Sequence, residues 1–542
     1  MAEARLRMVA GMVSAGLALG IAELLAAFFG PDSAPLNALG SAVVDHTPDD
    51  LREWAITTFG TNDKAVLYLI MGVVAVVVAG LAGAVERGTR AAGSWLFAAF
   101  GLIAAAIVVV RTGVGSALPT VIGVAAGIYA LRVLTHRIDR AAESSDAQAD
   151  AAPSATTSPS QTAPAANSTP GSQRAGESAA TERSGSSAER RQVLQGLLVA
   201  GGLAVVTGVG GRLLGLRRRD VSGERAAVQL PEPTAAAAPV APGADLRIPG
   251  LTPYLTPNDD FYRIDTALIV PQVSKDDWSL RIHGMVDREI RLGWADLAHR
   301  PVEERLITLA CVSNPVGGDL IGNARWLGYR LDQLLAEAGP HPDADMVLSY
   351  STDGWTAGTP LAVLTDGRDA LLAVGMNGEP LPVRHGYPAR LVVPGLYGYV
   401  SATKWVTELE VTRFDRASAY WTRRGWSALG PIKTGTRIDT PRGRKRLAPG
   451  PIPIAGVAWA QHRGIRAVEV QIDDGPWQQA RLSDEQSIDT WRQWVFDWDA
   501  TAGPHTIRAR ATDGTGEAQT AERRDVIPDG ATGHPSVTVS VG

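Results

Sequence analysis

The chain has 542 residues, a formal net charge of −5 and a mean hydropathy of +0.02. This length exceeds that of a single hydrophobic core and predicts several domains. The acidic balance gives no support for a nucleic-acid partner. The single cysteine, Cys311, excludes intramolecular disulfides and every zinc or iron–sulfur site that needs several cysteines.

Four apolar segments fill the first part of the chain, and each is close to the ~20 residues that cross a hydrocarbon core. They are residues 8–29, 65–85, 92–110 and 113–134. Their small and aliphatic residues predict closely packed membrane helices rather than core helices of a soluble protein. They carry almost no charge, which argues against a transporter with a regulatory soluble half. They contain no pair of histidines, so no haem is expected.

Basic residues give the orientation of these segments. Arg5 and Arg7 precede the first, Arg137 and Arg140 follow the fourth, and the loop after the first segment is mostly acidic. The excess of arginine at the two ends predicts that both lie in the cytoplasm.

A segment rich in Ala, Ser, Thr, Pro and Gly follows, and it is too poor in large apolar residues to fold. We expect a disordered cytoplasmic linker. Arg190 and Arg191 then precede a fifth apolar stretch, a pattern that resembles a twin-arginine export signal. An ordinary fifth span is the alternative, and both readings carry the chain outward. The arginines at 217–219 favour the opposite side, but the four preceding spans outweigh them.

Short β-like runs dominate the second half, including "WSLRIHGMV", "RLITLAC", "DMVLSYS", "PARLVVPG" and "KWVTELEVT". "LGYRLDQLLAEAG" has helical spacing and ends in glycine. Together these elements predict an α+β domain. The last segment alternates apolar and polar residues between turns, which predicts an antiparallel immunoglobulin-like β-sandwich without a disulfide.

Cys311 lies between a predicted strand and the loop "SNPVGGDLIGNA". By itself, a buried lone cysteine is typical of an inert hydrophobic residue. A nucleophilic role would need a histidine base, and none is close in sequence. The polar, glycine-rich loop nevertheless marks a place where sites are commonly found.

Several motifs, in order, resemble the sulfite oxidase family of molybdenum enzymes, including its methionine sulfoxide reductase branch. They are "TPNDDFYRID", "LITLACVSN", "IGNARWLGYRLDQLL" and "VRHGYPARLVVPGLYGYVSATKW". The resemblance covers more than half of the chain. It implies a molybdenum–pyranopterin cofactor, with the thiolate of Cys311 as the one protein ligand of the metal. A soft thiolate suits such a centre.

The resemblance also implies which residues hold the pterin and its phosphate. Arg390 would bind phosphate in a bidentate manner and Lys404 as a point charge. The implied cofactor-binding residues are Asn258, Phe261, Tyr262, Cys311, Thr352, His385, Arg390, Ser401, Thr403 and Lys404. Without the motif, His385 would be interpreted as a core histidine and Lys404 as a solvated strand residue.

Two departures from the family concern the substrate. Pro315 and Val316 stand where sulfite oxidases carry an arginine pair, and Trp426 stands where they carry a tyrosine. The candidate catalytic residues are Cys311, Trp426 and Arg424, with Arg325 and Arg423 as further cations that could compensate. A compact anion needs clustered cations, so we expect a sulfoxide or another S- or N-oxide in preference to sulfite.

The sequence therefore predicts a multidomain, membrane-anchored molybdopterin oxidoreductase whose catalytic part lies outside the cytoplasm. The expected partners are a small-molecule substrate, the membrane, an unidentified electron-transfer protein and a second copy bound through the C-terminal domain. The alternatives are a sulfite dehydrogenase and a cofactor-free surface binding or adhesion protein. The expected divisions are a four-helix membrane domain (1–140), linker (141–190), fifth span (191–216), connector (217–245), catalytic domain (246–440) and immunoglobulin-like domain (441–542).

Overall fold

A computed structural model describes residues 2–48, 51, 54–55, 58–59, 63–150, 175–443 and 446–542. The chain divides into two compact units, Met1–Asp220 and Val221–Gly542. The first is helical, and the second is rich in β-strands.

The helical unit contains α1 Ala2–Ala26, α2 Pro35–His46, α3 Asp63–Val85, α4 Ala92–Thr112, α5 Leu118–Asp150 and α6 Ala175–Arg219. Within the described residues, five helical stretches are long and apolar enough to cross a membrane: Glu3–Ala26, Lys64–Val85, Ala92–Thr112, Val114–Ser144 and Arg191–Ala227. They overlap the five segments predicted from the sequence. The short helix α2 was not predicted; it begins with proline and buries Ala38 completely.

The predicted linker is helical at both of its described ends. Helix α5 continues to Asp150 and α6 begins at Ala175, so the expected bounds of 141 and 190 were too wide. Ala, Glu, Gln and Arg in these ends are good helix formers that can extend an adjoining helix. Residues 151–174, at the centre of the predicted linker, lie outside the described residues.

Small residues allow α1 and α3 to approach closely. A Cβ atom placed on Gly83 would lie 2.0 Å from the Arg7 carbonyl oxygen, and one on Gly11 would lie 2.1 Å from the Ala79 carbonyl oxygen. Beside this crossing, Arg7 Nη2 donates to Asp139 Oδ1 at 2.6 Å. The packing of these helices therefore depends on glycine at the crossing point.

Two sheets form the first part of the β-rich unit. Their strands are β1 Ser279–Gly284, β2 Ile290–Gly293, β3 Glu303–Ala310, β4 Ile321–Arg330, β5 Met346–Ser351, β6 Thr356–Pro360, β7 Leu371–Met376, β8 Glu379–Pro380, β9 Arg390–Val392 and β10 Val406–Thr412. One sheet has the order β2-β1-β10-β5-β6; the other has the order β3-β4-β7-β8, with β9 paired to β7. The helices are α7 Ser222–Ala227, α8 Trp294–Leu297, α9 Leu331–Ala338 and α10 Leu361–Thr365.

The predicted helix in "LGYRLDQLLAEAG" begins later than expected. Its first four residues are the end of β4, where Gly328, Tyr329 and Arg330 pair with β7. Helix α9 therefore starts at Leu331, and it ends at Gly339 with a φ of +70°, as its glycine predicted.

The outer edge of β3 is covered by distant parts of the chain. The connector reaches one end, where the Glu304 backbone N–H donates to Ala235 O at 2.9 Å. The C-terminal strands reach the other end, where the Thr308 N–H donates to Asp489 O at 3.0 Å and Gln461 Nε2 donates to Thr308 O at 3.1 Å. Unpaired edge groups are thereby satisfied, and the predicted connector is a docked part of this unit.

Two further sheets form the C-terminal part. Their strands are β11 Gly435–Thr440, β12 Arg446–Leu447, β13 Gly450–Trp459, β14 Ile465–Ile472, β15 Gln478–Gln479, β16 Arg481–Leu482, β17 Arg492–Ala500, β18 Gly503–Asp513 and β19 Ser536–Val541. The orders β11-β13-β17-β16 and β12-β19-β18-β14-β15 enclose one core, with Ile454 and Trp494 from the first sheet and Val468 and Ile507 from the second. Strand β11 precedes the predicted boundary at 441 but pairs with β13, so this sheet begins earlier than expected.

The α1–α3 crossing predicts different outcomes for two glycines of the same helix. Gly83→Leu should destabilise the helical unit by about 3 kcal/mol, because the new side chain meets the backbone of α1. Gly72→Leu is the matched control, since nothing lies within 4 Å of a Cβ at that position. Thermal unfolding of the full chain in detergent measures both, and equal unfolding temperatures for the two variants would contradict the packing argument.

Candidate active site

Cys311 follows directly after β3, where the chain leaves the sheet and enters a tight loop. Its backbone N–H donates to Leu320 O at 2.9 Å, and Asn314 Oδ1 accepts from the Leu320 N–H at 3.0 Å, which closes the loop. The thiol is buried. Burial raises its pKa, and hydrogen bonds from Ser313 oppose this rise.

Arg390 opens β9 and is buried, with 5% of the residue exposed. Its guanidinium donates to three backbone carbonyls: His385 O at 3.1 Å, Leu391 O at 3.4 Å and Ala402 O at 3.5 Å. It also lies over the Trp326 ring, 5.1 Å from its centroid. No carboxylate is among these partners, and burial lowers the pKa of Arg390 to about 10.

His385 ends the short 3₁₀ turn Val383–His385 and is 1% exposed. Burial, reinforced by the positive charge of Arg390, lowers its pKa to about 3, so the ring is neutral at physiological pH. Its Nε2 atom lies 3.1 Å from Asn258 O. Because a carbonyl only accepts, Nε2 carries the proton and Nδ1 has the lone pair.

Lys404 is held by a carboxylate that the sequence did not indicate. Its Nζ atom donates to Asp265 Oδ2 at 2.7 Å and lies 4.7 Å from the centroid of the Trp405 ring. Burial lowers the pKa of Lys404 to about 8, although Asp265 acts in the opposite direction. The charge of Lys404 is thus compensated inside the protein, in contrast to that of Arg390.

Arg390, His385 and Lys404 form a group that we call the cluster. The predicted residues Asn258, Phe261 and Tyr262 lie beside it. Asn258 Oδ1 accepts from Asn377 at 2.9 Å, while its carbonyl binds His385. The ring of Phe261 stacks on Tyr262 at 5.2 Å and meets His385 edge-on at 5.6 Å. This aromatic group forms an apolar wall beside the buried cation.

Ser401 and Thr403 are fully buried and hold the segment that leads to Lys404. Ser401 Oγ donates to Tyr397 O at 2.9 Å, and the Thr403 hydroxyl lies 2.6 Å from that of Ser349. Thr352 follows directly after β5 and donates through its backbone and hydroxyl to Trp405 O, at 3.0 and 3.1 Å. Thr352 therefore reaches the cluster through Trp405.

Trp426 and Arg424 lie in a separate aromatic group. The Trp426 ring is 5.8 Å from Tyr399 and 5.9 Å from Trp421. The Arg424 guanidinium stacks 3.6 Å above the centroid of Tyr420 and donates to its carbonyl at 2.9 Å. Tyr399 connects this group to the cluster, because it belongs to the turn that leads to Ser401.

Tyr397 is a residue of the site that the sequence analysis missed. A Cβ on the next residue, Gly398, would lie 3.7 Å from the carbonyl oxygen of Ala310, which directly precedes Cys311. Burial, together with the negative charge of Asp529, raises the pKa of Tyr397 to about 12, against a hydrogen bond from the Lys433 backbone. The aromatic repeat "YGY" was the available signal.

Comparisons with known proteins give the family of this chain. Residues 267–421 match the family model described as the oxidoreductase molybdopterin binding domain. Over 298 residues the chain is 30% identical to the mitochondrial sulfite oxidase of Homo sapiens, covering 46% of this chain and 54% of that protein. Over 153 residues it is 33% identical to the uncharacterized oxidoreductase YuiH of Bacillus subtilis, covering 28% of this chain and 74% of that protein.

Among solved structures, the sulfane dehydrogenase SoxCD from Paracoccus pantotrophus aligns with a TM-score of 0.47 and 24% identity, over 53% of this chain and 84% of that chain. The chain spans about half the length of the human sulfite oxidase it matches, 54%. The protein belongs to the sulfite oxidase family of molybdopterin oxidoreductases. It is an enzyme with a molybdenum–pyranopterin cofactor, as predicted, which excludes the cofactor-free binding protein.

The residues of the cluster fit this cofactor. Arg390 is a buried cation whose described acceptors are backbone carbonyls, so an anionic phosphate would complete it. Ser351 Oγ, next to Thr352, is buried with no hydrogen-bond partner among the described residues. The buried thiol of Cys311 is a suitable soft ligand for the metal.

Replacing Arg390 and replacing Arg325 should have opposite effects on the unfolding temperature and on the molybdenum content. Arg390→Met removes an uncompensated buried charge, so the unfolding temperature of the cofactor-free protein should rise or stay unchanged. The same variant should retain on the order of tenfold less molybdenum. Arg325→Met should instead lower the unfolding temperature and leave molybdenum unchanged, because Arg325 Nη1 pairs with Glu304 at 2.8 Å. Calorimetry and elemental analysis measure both quantities. A destabilised Arg390→Met protein with full molybdenum content would contradict the assignment.

Proposed function

We propose that this enzyme transfers an oxygen atom from a small sulfoxide, or another S- or N-oxide, at a molybdenum centre bound by Cys311. When bound, the cofactor supplies two-electron oxygen-atom transfer. The reaction consumes two electrons and two protons and releases the sulfide and water, with the electrons coming from an electron-transfer protein of the cell. The support comes from the family and from the charges around the Cys311 loop.

In this proposal, the residues of the cluster hold and orient the cofactor. Arg390 binds the phosphate, and the neutral His385 offers its Nδ1 lone pair to a pterin N–H. Phe261 and Tyr262 exclude water from one side. The remaining polar cofactor-binding residues are Asn258, Thr352, Ser401, Thr403 and Lys404. Because His385 is already neutral, it acts as a hydrogen-bonding group and not as a titrating acid near pH 7.

Lys433 and Arg325 are each paired with a carboxylate, and this observation favours a neutral substrate. Lys433 Nζ donates to Asp529 Oδ1 at 2.7 Å, beside Tyr397. Arg325, a candidate to replace the missing arginine pair, pairs with Glu304 and lines a cavity of about 390 Å³ with Thr256 and Asn377. An anionic substrate would have to compete with these carboxylates for both Lys433 and Arg325.

Aromatic side chains support the same preference. Trp426 has an indole N–H that can donate to a sulfoxide oxygen, and it has no titratable hydroxyl. Its neighbours Tyr399 and Trp421 are aromatic, while Leu429 close by is 54% exposed. An organic substituent on sulfur would bury apolar surface against such a wall, which sulfite cannot do.

Oxidation of sulfite is the second candidate function. The 30% identity to human sulfite oxidase favours it. Against it stand Pro315 and Val316 in place of the arginine pair and Trp426 in place of the tyrosine.

We also propose that the five apolar helices anchor the enzyme in the cell membrane with its β-rich unit outside the cytoplasm. The support is the arginine excess at 5–7 and 132–140 and the Arg190–Arg191 pair, which resembles a twin-arginine signal. An immunoglobulin-like C-terminal domain that begins with β11 and offers a surface for a homodimer belongs to this proposal.

Substrate preference is tested with steady-state kinetics. Sulfoxide reduction with a reduced dye should exceed sulfite oxidation with an artificial acceptor, and sulfite should fall below about 10⁵ M⁻¹s⁻¹ in kcat/KM. Cys311→Ala should abolish both activities and lose the metal while keeping the fold. Efficient sulfite turnover would favour sulfite oxidation over reduction of a sulfoxide. Full activity of Cys311→Ala would show that Cys311 is not the metal ligand.

Topology is tested with protease added to spheroplasts. The β-rich unit after Val221 should be digested, while the linker at 141–190 stays protected. Arg190→Lys combined with Arg191→Lys should block export if the pair acts as a twin-arginine signal. The reverse digestion pattern would show an inverted orientation, and unchanged export would leave an ordinary membrane anchor.

A further inference from the structure

The segment Val221–Ala227, which we call the clasp, begins two residues after helix α6 ends at Arg219 and is docked on the β-rich unit. Its carboxylate, Glu224, accepts three hydrogen bonds: from the Tyr387 hydroxyl at 2.6 Å, the Ser274 hydroxyl at 2.6 Å and the Lys275 backbone at 2.8 Å. Burial raises the pKa of Glu224, but these bonds outweigh it and hold the pKa below the usual value. The carboxylate is therefore ionised and fully engaged at neutral pH.

Tyr387 connects the clasp to the cofactor cluster. It is completely buried and lies two residues after His385. Between them is Gly386, whose φ of +113° is accessible to glycine. A Cβ on Gly386 would lie 3.0 Å from the Arg390 Cβ atom and 3.1 Å from that of Lys404. The turn that carries His385 thus packs without free space on the two cations of the cluster.

Two more contacts fix the clasp to the same turn. Arg225 Nε donates to Leu381 O at 2.8 Å and Nη2 donates to Pro380 O at 2.6 Å, directly before the 3₁₀ turn. Val221 is 7% exposed and belongs to the hydrophobic cluster that contains Phe261, Trp326 and Tyr387. The turn at 383–387 therefore lies between the clasp and the proposed cofactor residues Arg390 and Lys404.

We propose that the clasp is a positioning element of the cofactor site: through Tyr387, Glu224 fixes the turn that places His385 and Arg390, and so sets how firmly the cofactor is retained. This inference rests on the proposed cofactor-binding roles of His385 and Arg390. It assigns a role at the site to residues well outside the segment 267–421 that matches the family model. The region interpreted from sequence as a simple connector becomes part of the site's outer support.

Variants of the full chain test the clasp. Glu224→Ala and Tyr387→Phe should each retain on the order of tenfold less molybdenum and pterin after dialysis than the unmodified chain. Because both remove the same contact, the double variant should retain no less than either single variant. Glu224→Gln keeps an oxygen that accepts from Tyr387, so it should recover most of the retention.

Ser274→Ala is the matched control, because it removes another hydrogen bond of Glu224 and leaves Tyr387 bonded. It should retain molybdenum as the unmodified chain does, even where its unfolding temperature falls equally. Full retention by Glu224→Ala and Tyr387→Phe, or multiplying losses in the double variant, overturns the clasp and leaves the proposed site intact. An unmodified chain that binds no molybdenum–pyranopterin overturns the proposed site and the clasp with it.

Discussion

One buried positive charge organises the cluster around Cys311. Arg390 is removed from water and its charge is met by carbonyl dipoles, which stabilise a cation far less than a carboxylate would. Its neighbours follow from this constraint. His385 is neutral because it is buried, and the charge of Arg390 beside it lowers its pKa further. Lys404, which also packs on this turn, is compensated by Asp265. Arg390, whose described acceptors are carbonyls, thus stays available for an anionic ligand.

Such a charge is expensive for the folded state in the absence of a ligand, and the surrounding structure has to hold it in place. The packed glycine at 386, the aromatic ring of Trp326 and the docked clasp all restrict the movement of this turn. The resulting arrangement keeps binding groups preorganised at the expense of stability, as is common for functional sites. These supporting contacts come from parts of the chain that are far apart in sequence.

The sequence was sufficient for features that are local or periodic. Apolar length predicted the five membrane-compatible helices, alternation predicted the main strands, and motif order predicted the family and its cofactor. The start of α9 was misplaced because pairing of Gly328–Arg330 with β7 overrides the helical spacing of those residues. Asp265, Tyr397 and Glu224 were missed because each acts through a contact with a distant segment, and neither composition nor spacing records such contacts. The role of Trp426 at the substrate remains a prediction.

The covered edge of β3 has a consequence for the order in which this enzyme is assembled. The backbone of Thr308, three residues before Cys311, is bonded to Asp489 and Gln461, which are synthesised long after it. Trp491 adds two more bonds, from its N–H to the Thr308 hydroxyl and from its ring to Tyr254 O. The strand that presents the thiol therefore reaches its native bonding only when the C-terminal strands have left the ribosome. A nascent chain stalled before these strands would therefore lack the bonds that hold β3 next to Cys311.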